Sequence, residues 1–204
     1  PSLDNSALAD IGVYCLQPAL DLFGVPARTS GASVWLPNGF EGGGSLQLDY
    51  GTLVADVVYS KIAAGLGPSV IYGEDAALTM DDPGELSRIE LHPRSGASRL
   101  LLPGPRVAAA DTMQHEVLDF VDQVDAGVLD PRWDDLTLAS RRIMDAQLAR
   151  IVAIAREHGV STVKESKSAM EAAAIGEGEV GVASRHPKIS RAKPLKLLAC
   201  RTWK

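Results

Sequence analysis

Residues 8 to 24 read LADIGVYCLQPALDLFG, and within them Asp10 and Tyr14 stand four apart, with Gln17 and Asp21 continuing the same stripe. On a helix this spacing places side chains on one face. A carboxylate there can orient or polarise whatever a neighbouring phenol engages. A phenol can deliver a proton to a developing alkoxide or remove one from an alcohol. Gly12, between the two, lets another backbone or a flat ligand come close. From spacing alone the simpler account is an ordinary amphipathic helix with a solvated polar stripe.

Other chemistry-bearing patterns are weaker. The segment GEGEVG at 176–181 carries the glycines of a dinucleotide turn. The preceding AMEAAAI favours helix over strand, Glu177 and Glu179 would repel phosphate, and only 23 residues follow. That is too few for a βαβ unit of about thirty. Histidines 92, 115, 158 and 186 are scattered without the spacing of metal ligands, and no G-x-S-x-G nucleophile turn occurs. They read as turn or surface residues.

The elements that must carry the stripe follow from periodicity. Leu8, Ile11, Cys15, Ala19 and Leu22 recur at helical steps, so a helix runs from a cap at Asn5 or Ser6 to Gly24, just before Pro26. Pro18 predicts a kink or a tightened turn within it. From Ala32 to Leu102 short apolar or alternating runs alternate with tight turns, reading as an antiparallel meander of about six strands. Leu46, Leu48 and Tyr50 would share one face and Ser45, Gln47 and Asp49 the other, after a glycine-rich turn between SVWL at 33–36 and SLQLDY at 45–50.

Helices return after Pro105. One carries Val117, Phe120, Val121, Val124 and Val128 as a stripe and stops at Gly127. The next aligns Leu136, Ala139 and Ile143, then Met144, Leu148, Ile151 and Ala155, and stops at Gly159. A sheet flanked in sequence by helices implies an α+β fold with the helices packed on one face. Residues 161–204 have weak periodicity and are expected to be partly disordered or a poorly packed appendage.

The chain of 204 residues is long enough for a real core, and its net charge of -6 gives no reason to expect nucleic acid as the main partner. Residues 161–204 hold nine basic and four acidic groups, and the last twenty residues hold seven basic groups and no acidic one. That basic tail could touch phosphate, but a solvated end is the simpler account. Cys15 and Cys200 lie far apart and read as reduced thiols. No apolar stretch approaches the ~20 residues of a membrane span, and no signal peptide opens the chain. The first residue is Pro1, so the natural start is expected upstream and the chain is expected to be incomplete and cytoplasmic.

The stretch SALADIGVYCLQPALDLFGVP resembles the opening helix of the second domain of the Gfo/Idh/MocA oxidoreductases, in the flavour of the dihydrodiol dehydrogenase and glucose–fructose oxidoreductase branch. Three further stretches agree in order and spacing. VADVVYSKIAAGLGPSVIYGEDAALTMDD is similar to the family's strand pair leading to a GEDG turn, with Ala76 in place of the last glycine. HEVLDFVDQVDAG and DDLTLASRRIMDAQLARI are similar to its two later helices. The match runs over roughly residues 3 to 158.

The resemblance implies an open, mostly antiparallel sheet with helices on one face and the other face often used for dimerisation. It implies hydride transfer between NAD or NADP and a sugar, polyol or small cyclic diol, with Asp10 positioning substrate, Tyr14 acting in proton transfer and Gln17 on the same substrate-facing stripe. The family's N-terminal Rossmann domain and its E-K-P segment have no counterpart here, so the cofactor is expected to be bound by that missing half and not by this chain alone. Residues 1–160 would then be the substrate and dimerisation domain, forming a homo-oligomer. The other reading is a non-catalytic binding or dimerisation module on the same fold.

Overall fold

The computed structural model describes residues 6–65, 67–105, 109–159 and the backbone of 197–203. The first helix opens with a single π-helical turn, Leu8–Gly12, and continues as α1, Val13–Phe23. The Ser6 hydroxyl accepts from the Ala9 N–H at 3.1 Å, as the expected cap does. Gly24 ends the helix at φ 81°. Pro18 lies inside α1 without ending it, and the widened turn is upstream of it, around Asp10.

Seven strands follow in a meander: β1 Arg28–Trp35, β2 Glu41–Asp49, β3 Val54–Ser60, β4 Ser69–Tyr72, β5 Ala76–Met80, β6 Arg88–Pro93 and β7 Arg99–Pro103. An eighth, β8 Leu197–Trp203, enters from the tail and pairs in parallel with β3 and antiparallel with β4. The sheet order is β1-β2-β3-β8-β4-β5-β6-β7, and every pair except β3–β8 is antiparallel. The fold is thus α+β with an open, mostly antiparallel sheet. Two antiparallel blocks, β1–β3 and β4–β7, meet through β8. The rest of the expected appendage, including GEGEVG and His186, lies outside the described residues.

The expected glycine-rich turn is confined to 37–40, and its second half is strand instead: Glu41-Gly42-Gly43-Gly44 begins β2. The reason is close approach. A Cβ at Gly44 would stand 2.4 Å from the Ala32 carbonyl oxygen of β1 and 2.6 Å from the Tyr59 hydroxyl of β3. Beyond the run the alternation holds, with Leu46 and Leu48 fully buried and Ser45 and Gln47 exposed.

The core lies between the first helix, β2, β3 and α3, Pro131–Glu157. Leu8, Ile11, Cys15, Leu16 and Ala19 face Leu46, Leu48, Ala55, Val57 and Tyr59, with Met144, Leu148 and Ile151 of α3 closing the layer. Each fully buried aliphatic side chain contributes about 1.5–3 kcal/mol. Asp130 caps α3 by accepting from the Arg132 N–H at 3.0 Å, with Pro131 in the first turn. Cys15 is disulfide-bonded, which corrects the reduced-thiol expectation for this residue. The distance between cysteines in sequence carries no information about which elements meet, and α1 packs against β8. The cytoplasmic expectation thereby loses its cysteine support.

The helix with the valine stripe, α2, Ala109–Ala126, forms and stops at Gly127 with φ 64° as read. Its stripe does not join the core, however: Val117, Phe120, Val121 and Val124 are exposed. A 3.6-residue period reports amphipathicity and leaves open whether a covering surface is at hand. Among the described residues no helix is long and apolar enough to cross a membrane.

The first helix is pinned to the sheet by a buried carboxylate. Glu41 Oε2 accepts from the Leu8 N–H at 3.0 Å and Oε1 accepts from the Ser33 hydroxyl at 2.9 Å. Burial raises the Glu41 pKa above its ordinary 4.5, partly opposed by these hydrogen bonds. Burial, and then the Glu41 charge, pushes the Tyr59 phenol up. Because folded Glu41 keeps its proton to higher pH than unfolded Glu41, stability from this group declines as pH rises from 4.5 through the raised value. Glu41→Ala, which strands the Leu8 N–H, should cost about 1–3 kcal/mol in urea denaturation. Glu41→Gln keeps an acceptor and removes the titration, so its stability relative to wild type should improve between acid and neutral pH. A pH-independent difference would show that Glu41 does not titrate in this way.

Candidate functional site

The outer face of the first helix carries the predicted residues. Asp10 lies in the π turn and Tyr14 in the first turn of α1, both exposed, while Gln17 is half-buried further along. A π turn adds a residue to the helical circuit and is frequent at functional sites. Gly12 does permit a close approach, but the flat partner is internal. A Cβ there would meet the Tyr59 ring at 3.4 Å and the Leu8 side chain at 2.9 Å. The helix therefore lies directly on β3 at Tyr59.

That contact decides Asp10's neighbour. Two residues beyond Tyr59, Lys61 Nζ stands 2.5 Å from Asp10 Oδ2. Lys61 is fixed at both ends: its N–H donates to the Gly42 carbonyl at 2.8 Å, and its ammonium sits 5.7 Å from the Phe40 ring centroid. Lys61 and Phe40 were not foreseen, since a lysine after a strand looks like any surface lysine.

Tyr14 meets a different element. The turn between β5 and β6 brings Gly84 beneath it, and a Cβ at Gly84 would lie 3.4 Å from both the Tyr14 ring and Asp82 Oδ1. Two aspartates hold this turn. Asp82 accepts from the Gly84 N–H at 2.9 Å. Asp81 accepts from the Arg88 N–H at 3.0 Å and from the Ser87 hydroxyl. Desolvation acts to raise the Asp81 pKa, but these donors outweigh it and hold the carboxyl well below the usual carboxylate range.

Asp21, the last member of the stripe, has a separate task. It accepts a two-pronged contact from Arg132 at 2.6 and 2.8 Å, tying α1 to the start of α3. The pair raises the Arg132 pKa. The stripe thus divides into Asp10 and Tyr14, facing solvent between Lys61 and the Gly84 turn, and Asp21, part of the helix packing. Among the described histidines, His92 links Thr79 and Ser98 at 2.8 and 3.0 Å within the sheet region. That is a structural role with two partners, where a turn or surface residue was expected.

The glycine run at the start of β2 does not form a dinucleotide cradle. The glycine run at 42–44 is enclosed by neighbouring strands and by Ile62, with Cβ positions 2.4–2.9 Å from the nearest atoms. Among the described residues no group of three or more His, Cys, Asp or Glu could hold a metal ion.

No family model matches the chain. The chain is 32% identical over 148 residues to the scyllo-inositol 2-dehydrogenase (NADP(+)) of Bacillus subtilis strain 168, covering 71% of this chain and 44% of the relative. It is 28% identical over 130 residues to an uncharacterised oxidoreductase of Escherichia coli strain K12, covering 64% of this chain and 39% of the relative. Its fold is similar to that of a 3-ketoreductase from Actinomadura kijaniata solved with NADP, with a TM-score of 0.57, 17% identity, and coverage of 70% of this chain and 46% of the other. The chain spans less than half the length of each of these proteins, and its homologues and structural neighbours are oxidoreductases of the Gfo/Idh/MocA type.

Proposed function

We propose that this chain is the C-terminal, substrate-side domain of a Gfo/Idh/MocA oxidoreductase that uses NAD or NADP on a sugar, polyol or small cyclic diol. The observation that carries the reading is the division of the first helix. Its inner face is buried to the last side chain between Leu8 and Leu20, while Asp10 and Tyr14 are left accessible one turn apart on the outer face. The scyllo-inositol dehydrogenase, similar over 71% of this chain, supports the substrate class.

In this reading residues 1–160 form the domain. Tyr14 would relay the proton: as its oxygen accepts the substrate's hydroxyl proton its own passes to solvent, the hydride of the alcohol carbon going to the dinucleotide, and ketone reduction would run the same exchange in reverse. Asp10 orients the hydroxyl, and Gln17 extends the contact along the stripe. The dinucleotide belongs to a Rossmann domain of the intact enzyme, as the resemblance implies. The sheet face opposite the helices, where Val34 and Ala32 are exposed, is the surface for self-association into a homo-oligomer.

In the intact enzyme Tyr14→Phe should lower kcat by about 10²–10⁴-fold while KM changes little, the signature of a lost proton-transfer group. Steady-state kinetics with inositol reads this directly, and unchanged turnover would remove Tyr14 from the mechanism. The 204-residue chain by itself should bind NADPH weakly or not at all in a fluorescence titration. Tight, saturable binding would refute the division of labour between the two halves.

A further inference from the structure

We propose that Glu41 is a positioning residue for the site: by holding the start of the first helix it keeps the π turn wound, and so sets the phase at which Asp10 stands relative to Tyr14. The inference deepens the substrate-side reading and rests on it for its effect on turnover. Glu41 is 1% exposed, so it acts through the helix and not on a substrate.

Phase is what the turn controls. Leu8–Gly12 carries one residue more than an α-helical turn would, and in an α-helix each residue advances the phase by about 100°. If the turn relaxed to α geometry, the residues before Gly12 would rotate by about that angle relative to α1. Asp10 would then leave its place beside Lys61. Turns of this kind are rare, so contacts on both sides must hold this one. Downstream, α1 is fixed by Cys15, Leu16 and Ala19 in the core and by the Asp21–Arg132 contact. Upstream, the Leu8 N–H, on the first residue of the turn, donates to Glu41 at 3.0 Å, an acceptor 33 residues away on another element. The Ser6 hydroxyl and carbonyl accept from the Ala9 and Asp10 N–H groups at 3.1 Å each. Those two bonds lie within the segment and would rotate with it.

The same carboxylate steadies the surface on which the turn rests. Ser33 donates to its second oxygen at 2.9 Å, and the Ser33 and Tyr59 hydroxyls lie 3.4 Å apart. The Tyr59 ring lies under Gly12, 3.4 Å from where a Cβ would stand. Gly44 leaves this cluster its space, since a Cβ there would come within 2.6 Å of the Tyr59 hydroxyl and 3.0 Å of that of Ser33. Helix start and helix seat therefore share one anchor.

The test compares three variants in the 204-residue chain and in the intact enzyme. Glu41→Leu fills the space without an acceptor, Glu41→Asp keeps the charge at shorter reach, and Glu41→Gln keeps an acceptor at full reach. In the chain, a nuclear Overhauser cross-peak between the Lys61 ε-methylene and Asp10 β-methylene protons reads the phase of the turn. It should survive Glu41→Gln and be lost in Glu41→Leu and Glu41→Asp, the latter deciding if Glu41→Leu does not fold. In the intact enzyme, at a temperature where circular dichroism shows the variants folded, Glu41→Asp should lower kcat by about 10²-fold and Glu41→Gln should restore it. A purely structural role would lower Tm and leave kcat per folded molecule as it was. The proposal is overturned if the cross-peak persists in Glu41→Asp, or if Glu41→Asp keeps wild-type kcat in an enzyme that Tyr14→Phe disables. If Tyr14→Phe leaves turnover unchanged, the catalytic reading fails and the cross-peak alone decides whether Glu41 positions Asp10.

Discussion

A helix that begins inside a protein has backbone N–H groups with nowhere to donate. The first helix solves this with a side chain from another element, the Glu41 carboxylate of β2, which accepts from the Leu8 N–H in a setting that excludes solvent. Burying a carboxylate is costly unless both oxygens are engaged, and here the Ser33 hydroxyl of β1 engages the second. One side chain thereby joins β1, β2 and the helix start. The neighbouring glycines serve the same end, since any side chain at Gly43 or Gly44 would push apart the strands that hold Glu41 in place. Once the helix start is fixed, Gly12 must rest on Tyr59, and Asp10 must fall beside Lys61.

Two aspartates on one stripe therefore do different work through what lies opposite them. Asp21 faces Arg132 and draws two helices together. Asp10 faces a lysine at the open end of a strand, with solvent on its other side. Tyr14, between them in sequence, sits over Gly84 of the β5–β6 turn, close enough that a Cβ there would touch its ring. The site is thus assembled by three elements, and only the helix announces itself by pattern.

The legible part of the sequence is the part governed by short-range periodicity. The first helix, the alternation of Leu46 and Leu48 with Ser45 and Gln47, and the stops at Gly127 and Gly159 follow from rules acting within a few residues. The glycine run of β2 was misread because glycine in a turn and glycine at a tight crossing have the same local signature, and the difference lies in the strand opposite. Glu41 and Lys61 were invisible for the same reason. Their partners, Leu8 and Asp10, are 33 and 51 residues away in the chain. The parallel insertion of β8 between β3 and β4 has a separation larger still, beyond any local signal.

The exposed stripe of α2 has a consequence for how firmly that helix is held. Helices of moderate length draw most of their stability from packing an apolar face, since intrinsic propensity leaves short isolated helices marginal in water. Along α2, Met113, Val117, Leu118, Phe120, Val121 and Val124 are exposed, so this helix is held by its backbone bonds, its Gly127 stop and polar contacts such as those of Gln123 with Asp119 and the Asp130 N–H, without a buried apolar face among its described side chains. The five acidic and no basic residues of 109–126 add repulsion along its length. Its amides thus belong at the low end of the molecule's range of opening free energies, while those of α3, with Met144, Leu148 and Ile151 in the core, belong near the top. Two neighbouring helices joined by only a few residues would exchange their amide protons on very different timescales.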